Sequence, residues 1–333
     1  MKRLILTSSD SAVGVLKRAG FADGVIPFGV RFVCGPLLST TELETLLSAR
    51  SVRQGASAPH WLDSLAGTHP ESARAHGLGL AEFCERFDAV ELWIDPEPNS
   101  QLQLIWLLDH LRRHSNIISR LALVQMDTAI GNHLPSELVG LERRAIPIRN
   151  DHLEIASTAW AAYRAPTPAV WFDLLEHNLS VLPRLQGTVV TLLEELPNRG
   201  SGLGATEMRM LELISAGHVH PHDLFPGHEK PNERRTFVYW EIGALLDGLA
   251  RCPSPAVSGL DEGPFTIEMH EQADRHARYK QSRLSLTELG KAVLAQADDF
   301  TRHNPIHRWW GGTELTNDRL WRWDSLNRAL VAP

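Results

Sequence analysis

Residues 89–111, with the sequence A-V-E-L-W-I-D-P-E-P-N-S-Q-L-Q-L-I-W-L-L-D-H-L, constrain the fold more than any other stretch of the chain. A short apolar run from Val90 to Ile94 breaks at Pro96 and Pro98, and a strongly apolar helix follows from about Ser100. The run reads as a buried strand, which a polar turn hands over to a buried helix. That turn concentrates Asp95, Glu97, Asn99, Ser100 and Gln101. In an open α/β sheet it lies at the carboxyl end of the strand, where small ligands bind.

The rest of the first half fits the same plan. Lys2–Ser8 reads as a first strand, and Ser9 or Asp10 can cap a helix from Ser11 to about Ala19 that stops at Gly20. Val25–Cys34 reads as a second strand closed by Gly35-Pro36, and Thr41 with Glu44 has capping-box spacing at the start of the next helix. Gln54–Gly79 is expected to form short helices or loop, Leu80–Phe87 a helix, Ile118–Met126 a strand and Arg144–Ile148 a short edge strand. This alternation predicts an α/β domain over residues 1–150, with a mostly parallel, Rossmann-like sheet and helices on both faces.

Residues 151–200 read as a helical connector, and 201–333 as a mainly helical part with a tryptophan-rich tail. Helices are expected from Ala205 to Gly217, from Asp223 and over Thr236–Leu249, and strands at Ala256–Leu260, Phe265–Met269 and Leu284–Leu286. With the helix opening at Thr287, that is the order of a winged-helix-like module. Trp309, Trp310, Trp321 and Trp323 are expected to plug an interface or a terminal strand rather than to stack a ligand.

A chain of 333 residues has room for two domains, each with its own core. No apolar run approaches the ~18–20 residues of a membrane span, and the apolar part after Met1-Lys2-Arg3 is shorter than the ~7–15 residues of a secretory signal. Three cysteines without a CxxC suggest neither a disulfide framework nor a zinc knuckle, so a cytoplasmic protein with no membrane partner is expected. The formal charge of −7 opposes general nucleic-acid binding. Residues 200–333 carry 15 Lys and Arg against 18 Asp and Glu, and Phe237–Leu249 offers Trp240, Glu241 and Asp247 but no Lys or Arg, which disfavours DNA. A homo-oligomer is compatible with the sequence.

The chain resembles the bacterial domain-of-unknown-function family 1835. The resemblance is carried by Thr7-Ser8-Ser9-Asp10-Ser11-Ala12, by Pro27-Phe28 through Gly35-Pro36-Leu37, and by Leu92-Trp93 through Gln101-Leu102-Gln103-Leu104. The tail resembles similar proteins at Asn304–Gly312 and Trp321-Arg322-Trp323-Asp324. The resemblance implies an α/β N-terminal domain and no established activity. It departs at Val30-Arg31, where such proteins often carry an acidic pair, and at Asp95-Pro96-Glu97, where they often carry Glu-His-Asp or a Gly-Asn run before the Gln-Leu pair.

Four groups of residues are candidates for chemistry. Ser8, Ser9 and Asp10 place hydroxyls and backbone amides at a helix N-terminus, an anion site or an ordinary cap. Asp95 and Glu97 could act as acid and base or, with Asp10, bind a divalent cation such as Mg2+; the alternative is a solvated turn that caps the next helix. Gln101 and Gln103 face different sides of a helix, so at most one serves the pocket. His218, His220 and His222, followed by His228, lack a fourth ligand in register, Pro305 separates His303 from His307, and Cys34 has no assignable base, so no metal or nucleophile is assigned. The expected function is binding of a small polar, phosphorylated or nucleotide-like ligand by Ser8, Ser9, Asp10 and Gln101. Any chemistry would be acid/base or metal-assisted hydrolysis or group transfer on Asp95 or Glu97. The alternatives are a ligand-sensing winged-helix regulator and an interaction scaffold.

Overall fold

The computed structural model of the chain describes residues 1–50, 60–65, 75, 77–140, 145–227 and 232–333. They divide into two compact units, one of Met1–Phe32, Pro36–Arg164 and Leu174–Thr188, the other of Val33–Gly35, Ala165–Asp173 and Val189–Pro333.

The first unit is built on a five-stranded sheet of β1 (Arg3–Thr7), β2 (Gly24–Pro27), β3 (Ala89–Ile94), β4 (Leu121–Gln125) and β5 (Ile146–Pro147), in the order β2-β1-β3-β4-β5. The first four strands are parallel and β5 runs antiparallel on the edge. This order winds one way from β1 to β2 and the other way from β3 onward, so the reversal falls between the carboxyl ends of β1 and β3. Leu4, Ile5 and Leu6 are all fully buried, and alternation along a strand then requires that both faces of the sheet be covered. On one face Ile5, Val25, Trp93 and Val124 pack with Ala12, Val15 and Leu16 of α1 (Asp10–Arg18).

Four details differ from the sequence reading. The second strand stops at Pro27, where the Phe28 amide makes the last bond to β1, at the Thr7 carbonyl (2.9 Å), and the chain beyond Phe28 leaves the sheet. The capping box of α2 (Thr40–Leu47) uses Ser39 and Glu42, not Thr41 and Glu44: the Ser39 hydroxyl accepts from the Glu42 amide at 3.2 Å, and the Glu42 carboxylate accepts from the Ser39 amide at 2.7 Å. After α3 (Leu80–Cys84), β3 and α4 (Pro98–Leu111), a short helix α5 (Ser115–Ile118) takes the start of the expected fourth strand, which begins only at Leu121. In the second unit the segment expected as a strand at Phe265–Met269 is helical over Ile267–Glu271. Of Gln54–Gly79 the described part includes a 3-10 turn at Trp61–Ser64, and Arg144 lies outside the described residues.

Twelve of the fourteen residues of α4 are buried, so it is an internal helix rather than a surface one. It packs against α7 (Asn150–Tyr163), which follows the short α6 (Pro135–Gly140). Phe32 and Trp106 meet edge to face at 5.4 Å, Phe32 and Trp160 at 4.9 Å, and the Tyr163 hydroxyl donates to the Phe32 carbonyl at 3.1 Å.

The chain continues through α8 (Ala169–Asp173) and α9 (Leu185–Glu194) into α10 (Ala205–Ser215), α11 (Tyr239–Ala250), α12 (Ile267–Glu271), α13 (Ala273–Gln281) and α14 (Glu288–Leu294). Met210, Ile214, Ile242, Leu246, Phe265 and Val293 are central in the apolar core of the second unit. The strand expected at Phe265–Met269 is instead α12, because the Thr266 hydroxyl accepts from the Met269 amide at 3.3 Å and starts a helix. The short strands β6 (Val257–Ser258) and β7 (Ser285–Leu286) pair antiparallel, and α12 and α13 lie between them in sequence. Two further antiparallel pairs, β8 (His307–Trp310) with β9 (Thr313–Thr316) and β10 (Arg322–Asp324) with β11 (Ala329–Val331), form the tail. Trp310 donates to the Leu192 carbonyl at 2.7 Å and meets Trp171 edge on, while Trp323 packs against Phe172.

At the start of α14 the Thr287 hydroxyl accepts from the Gly290 amide at 3.0 Å and donates to the Pro255 carbonyl at 2.7 Å. A Cβ at Gly290 would lie 2.0 Å from the Ala256 carbonyl oxygen. Glycine to alanine inside a helix ordinarily gains about 1 kcal/mol. Here backbone would be forced from backbone, so Gly290→Ala is expected to destabilise the protein by about 2 kcal/mol. A urea melt that shows stabilisation would refute the close approach of α14 to the backbone at Ala256.

Candidate functional site

The loops leaving β1 and β3 meet at the reversal point of the sheet. Ser8 follows β1 and is buried, and its hydroxyl accepts from the Asp95 amide at 3.1 Å. Ser9 has the extended backbone of a helix N-cap, yet its hydroxyl donates to the Asp95 carboxylate at 2.9 Å instead of accepting from α1. The second Asp95 oxygen accepts from the Ile130 amide at 2.7 Å, in the turn after β4. Gln101 donates to the Asp95 carbonyl at 2.8 Å and accepts from Gln125 at 2.6 Å. Ser8, Ser9, Asp95 and Gln101 are thus brought together.

Asp10 and Glu97 sit differently. Asp10 is exposed in the first turn of α1, and Glu97 is the half-buried N-cap of α4. Among the described residues no group of three or more His, Cys, Asp or Glu is placed to hold a metal ion, so Asp10, Asp95 and Glu97 do not assemble as a cation site. A Cβ at Gly131 would lie 2.4 Å from the Ser11 hydroxyl oxygen, so the turn carrying Ile130 sits directly over the first turn of α1. Asp95 itself is 3% exposed. Burial pushes its carboxyl above the ordinary aspartate range, against the pull of the Ile130 amide, the Ser9 and Ser8 hydroxyls and His133. Both oxygens of this carboxylate are engaged, and it ties three segments together.

Asn99 and Gln103 are the residues whose part the sequence did not disclose. The Asn99 amide accepts from the Phe32 amide at 2.8 Å and donates to the Val30 carbonyl at 3.0 Å. Gln103 donates to the Phe28 and Val30 carbonyls, each at 2.8 Å. They hold Phe28–Phe32 away from the sheet, and one wall of a cavity of about 420 Å3 results. Its lining includes Phe28, Arg31, Leu38, Leu46, His60 and Trp61, at the carboxyl end of β2. His60 accepts from the Leu62 amide at 3.2 Å and lies 3.0 Å from the Ser48 carbonyl. Burial, then the Arg50 charge, lower its pKa and favour the neutral ring. The signal available in the sequence was Pro27 with Gly29, which argues against a strand reaching Cys34.

The remaining candidates have structural settings. His220 contacts the Ser282 carbonyl at 3.2 Å, and His222 contacts the Tyr239 hydroxyl at 3.3 Å and packs among Phe225, Phe265 and Tyr279; His228 lies outside the described residues. His303 pairs with Asp298 and His307 with Glu314. Cys34 is exposed, and burial pushes the Cys84 thiol up to about 12. Among the described residues no helix is long and apolar enough to cross a membrane.

Fold and site define the first unit as a parallel-sheet α/β protein with a polar cluster at its strand reversal. The sequence matches no protein-family model and no curated protein.

Asp95→Asn retains an acceptor for the Ile130 amide and offers a donor to Ser9, so it is expected to change stability at neutral pH by about 1 kcal/mol or less. Asp95→Ala leaves that amide unpaired and is expected to lose about 2–3 kcal/mol. The unfolded aspartate titrates near about 3.9. Below that pH both states hold the proton; as pH rises through the raised folded value, the wild type must lose stability relative to Asp95→Asn. Denaturation curves of both proteins over this range check the sign, and parallel curves would contradict a desolvated carboxyl.

Proposed function

We propose that the first unit binds a small polar ligand at the carboxyl edge of its sheet, with the cavity beside β2 taking the body of the ligand. The observation that carries this reading is the position of that cavity of about 420 Å3, at the strand ends where doubly wound sheets bind ligands. Phe28, Leu38, Leu46 and Trp61 among its lining residues suit a flat ring, and Arg31 suits an anionic group. A nucleotide-like or phosphorylated molecule combines the two. Ser8, Ser9, Asp10 and Gln101 would border the adjoining reversal point. Catalysis by Asp95 and Glu97 is the weaker reading, because the Asp95 carboxylate already serves Ser9 and Ile130. The resemblance to the domain-of-unknown-function family 1835 implies an α/β N-terminal domain and no activity.

A winged-helix-like reading of the second unit draws on the order α10, 3-10 turn Pro221–Asp223, α11, β6, β7 and α14, with α12 and α13 inserted in the hairpin. Val238, Trp240 and Ile267 are exposed apolar residues on or beside α11 and α12, which favours docking of a protein over DNA. A shift of duplex DNA that persists at physiological salt would sink the docking reading.

Native mass spectrometry of the purified chain is expected to show a bound small molecule, and adenosine monophosphate is expected to raise the melting temperature. Arg31→Ala should weaken that binding about tenfold or more, as loss of a charge-assisted hydrogen bond does, while Asp95→Asn leaves it unchanged. If Asp95→Asn removes binding and Arg31→Ala does not, the ligand sits at the reversal point and the cavity reading is wrong.

A further inference from the structure

The hairpin of β6 and β7 carries α12 and α13 between its strands, and both helices fold back onto the apolar core of the second unit. Met269 of α12 and Tyr279 of α13 are fully buried there, and α13 packs against the turn Pro221–Asp223. Because β6 and β7 pair with each other, the insertion can lift from the core while its two ends stay joined, as contiguous segments that open locally do. Glu262 pairs with Arg275 at 2.9 Å and with Arg278 at 2.8 Å, so the loop that enters α12 is tied to α13 and moves with it.

Three imidazoles make much of the contact between the insertion and the core. His276 of α13 lies 4.1 Å from His270 of α12 and 5.7 Å from His222 of the turn, centroid to centroid. Phe225, Phe265, Tyr239 and Tyr279 pack around His222. Nε2 of His276 is buried without a hydrogen-bond partner, and so is the hydroxyl of Tyr279 one turn further along α13. A neutral ring is tolerated in such a place. Its protonated form carries N–H groups on both nitrogens, and here Nε2 has no acceptor to meet one.

The neighbouring charges do not compensate. Burial first, then His270 and Lys280, lower the pKa of His276, and neither His270 nor His276 pairs with a carboxylate among the described residues. The carboxylates nearby are committed elsewhere. On α11, Asp247 accepts from the Phe265 amide at 2.6 Å and from Arg251 at 3.2 Å, and Glu241 accepts from the Val238 amide at 2.9 Å. On the turn, Asp223 accepts from the His220 amide at 3.2 Å. Glu268, Glu271 and Asp274 of the insertion are exposed. Tyr239 and Tyr279 are phenols whose pKa burial raises, so they carry no charge near neutrality.

We propose that the α12–α13 insertion is an acid-sensitive flap, closed over the aromatic core while His270 and His276 are neutral and lifted when this pair takes up protons, which uncovers Phe225 and Tyr239. A histidine whose pKa in the closed form lies below the ordinary value of about 6.5 binds its proton more readily in the open form. Closure is therefore favoured in full above about pH 6.5 and weakens as pH falls through that value. Two other groups do not imitate the effect. Burial raises the Asp247 carboxyl, which favours closure on acidification, and Arg275 and Arg278 hold Glu262 down at about 2, so the tie within the insertion persists.

The test is hydrogen exchange of the full chain, read by mass spectrometry about one pH unit above and about one below the ordinary histidine value, with exchange times scaled to the intrinsic rate. In the wild type, protection over residues 267–281 is expected to fall about fivefold more than over α10 between the two conditions. His276→Gln removes the titrating ring and is expected to abolish the difference. His270→Gln removes only the neighbouring charge and is expected to reduce it to about twofold. His307→Gln, at an exposed histidine of β8 paired with Glu314, should behave as the wild type. Equal protection of the wild-type insertion in both conditions, an equal loss over α10, the full effect retained in either His276→Gln or His270→Gln, or its disappearance in His307→Gln would overturn the proposal.

Discussion

The first unit depends on how three amide side chains at the start of a buried helix are satisfied. Asn99, Gln101 and Gln103 are all at most 3% exposed, and a buried amide without partners costs about 1–3 kcal/mol. Each finds backbone, and only the buried side-chain oxygen of Gln103 is left without a hydrogen bond among these three amides. Asn99 and Gln103 take the groups of Phe28, Val30 and Phe32 that a neighbouring strand would otherwise have taken, while Gln101 takes the Asp95 carbonyl and Gln125. The helix therefore does what an additional strand would have done for this segment, and does it without closing the space beside β2. Cavity and helix are consequences of the same hydrogen bonds.

Asp95 solves a related problem at the other side of β1. A carboxylate placed in the protein interior is destabilising unless its oxygens are paired. The Ser9 hydroxyl and the Ile130 amide provide that pairing, and in doing so they fix the turn after β4 over the start of α1. The N-terminus of a helix attracts anions, and here a side chain of the protein supplies one nearby. This geometry favours a ligand that approaches from the β2 side, where Arg31 and the apolar walls lie, over one seated among Ser8, Ser9 and Asp95.

The parallel sheet was legible because β1, β3 and β4 are apolar runs broken by turn residues, and because the Asp95-Pro96-Glu97-Pro98 break can only end a strand. The meeting of Ser8, Ser9 and Asp95 was legible for the same reason, since adjacent parallel strands open their loops on one side. What the pattern hid was anything decided by a distant partner. Val30 and Phe32 look like strand residues, but their hydrogen bonds go to Asn99, some seventy positions away. Phe265–Met269 is apolar enough for a strand, yet the Thr266 hydroxyl caps it as a helix. The capping box at Ser39 was misplaced by two residues because Thr41 with Glu44 has the same spacing as Ser39 with Glu42.

The setting of Arg234 in the second unit was invisible in sequence for a further reason: it comes from pairing, not from composition. Arg234 and Arg209 would suggest an anion site if read alone. Glu195, with its side chain 5% exposed, accepts from the Thr206 amide at 3.0 Å, from the Thr206 hydroxyl at 2.7 Å and from Arg234 at 2.9 Å. A buried ion pair stabilises only when its remaining lone pairs are met in this way. Once they are met, the guanidinium is a fixed part of the structure, shared between Glu194 and Glu195.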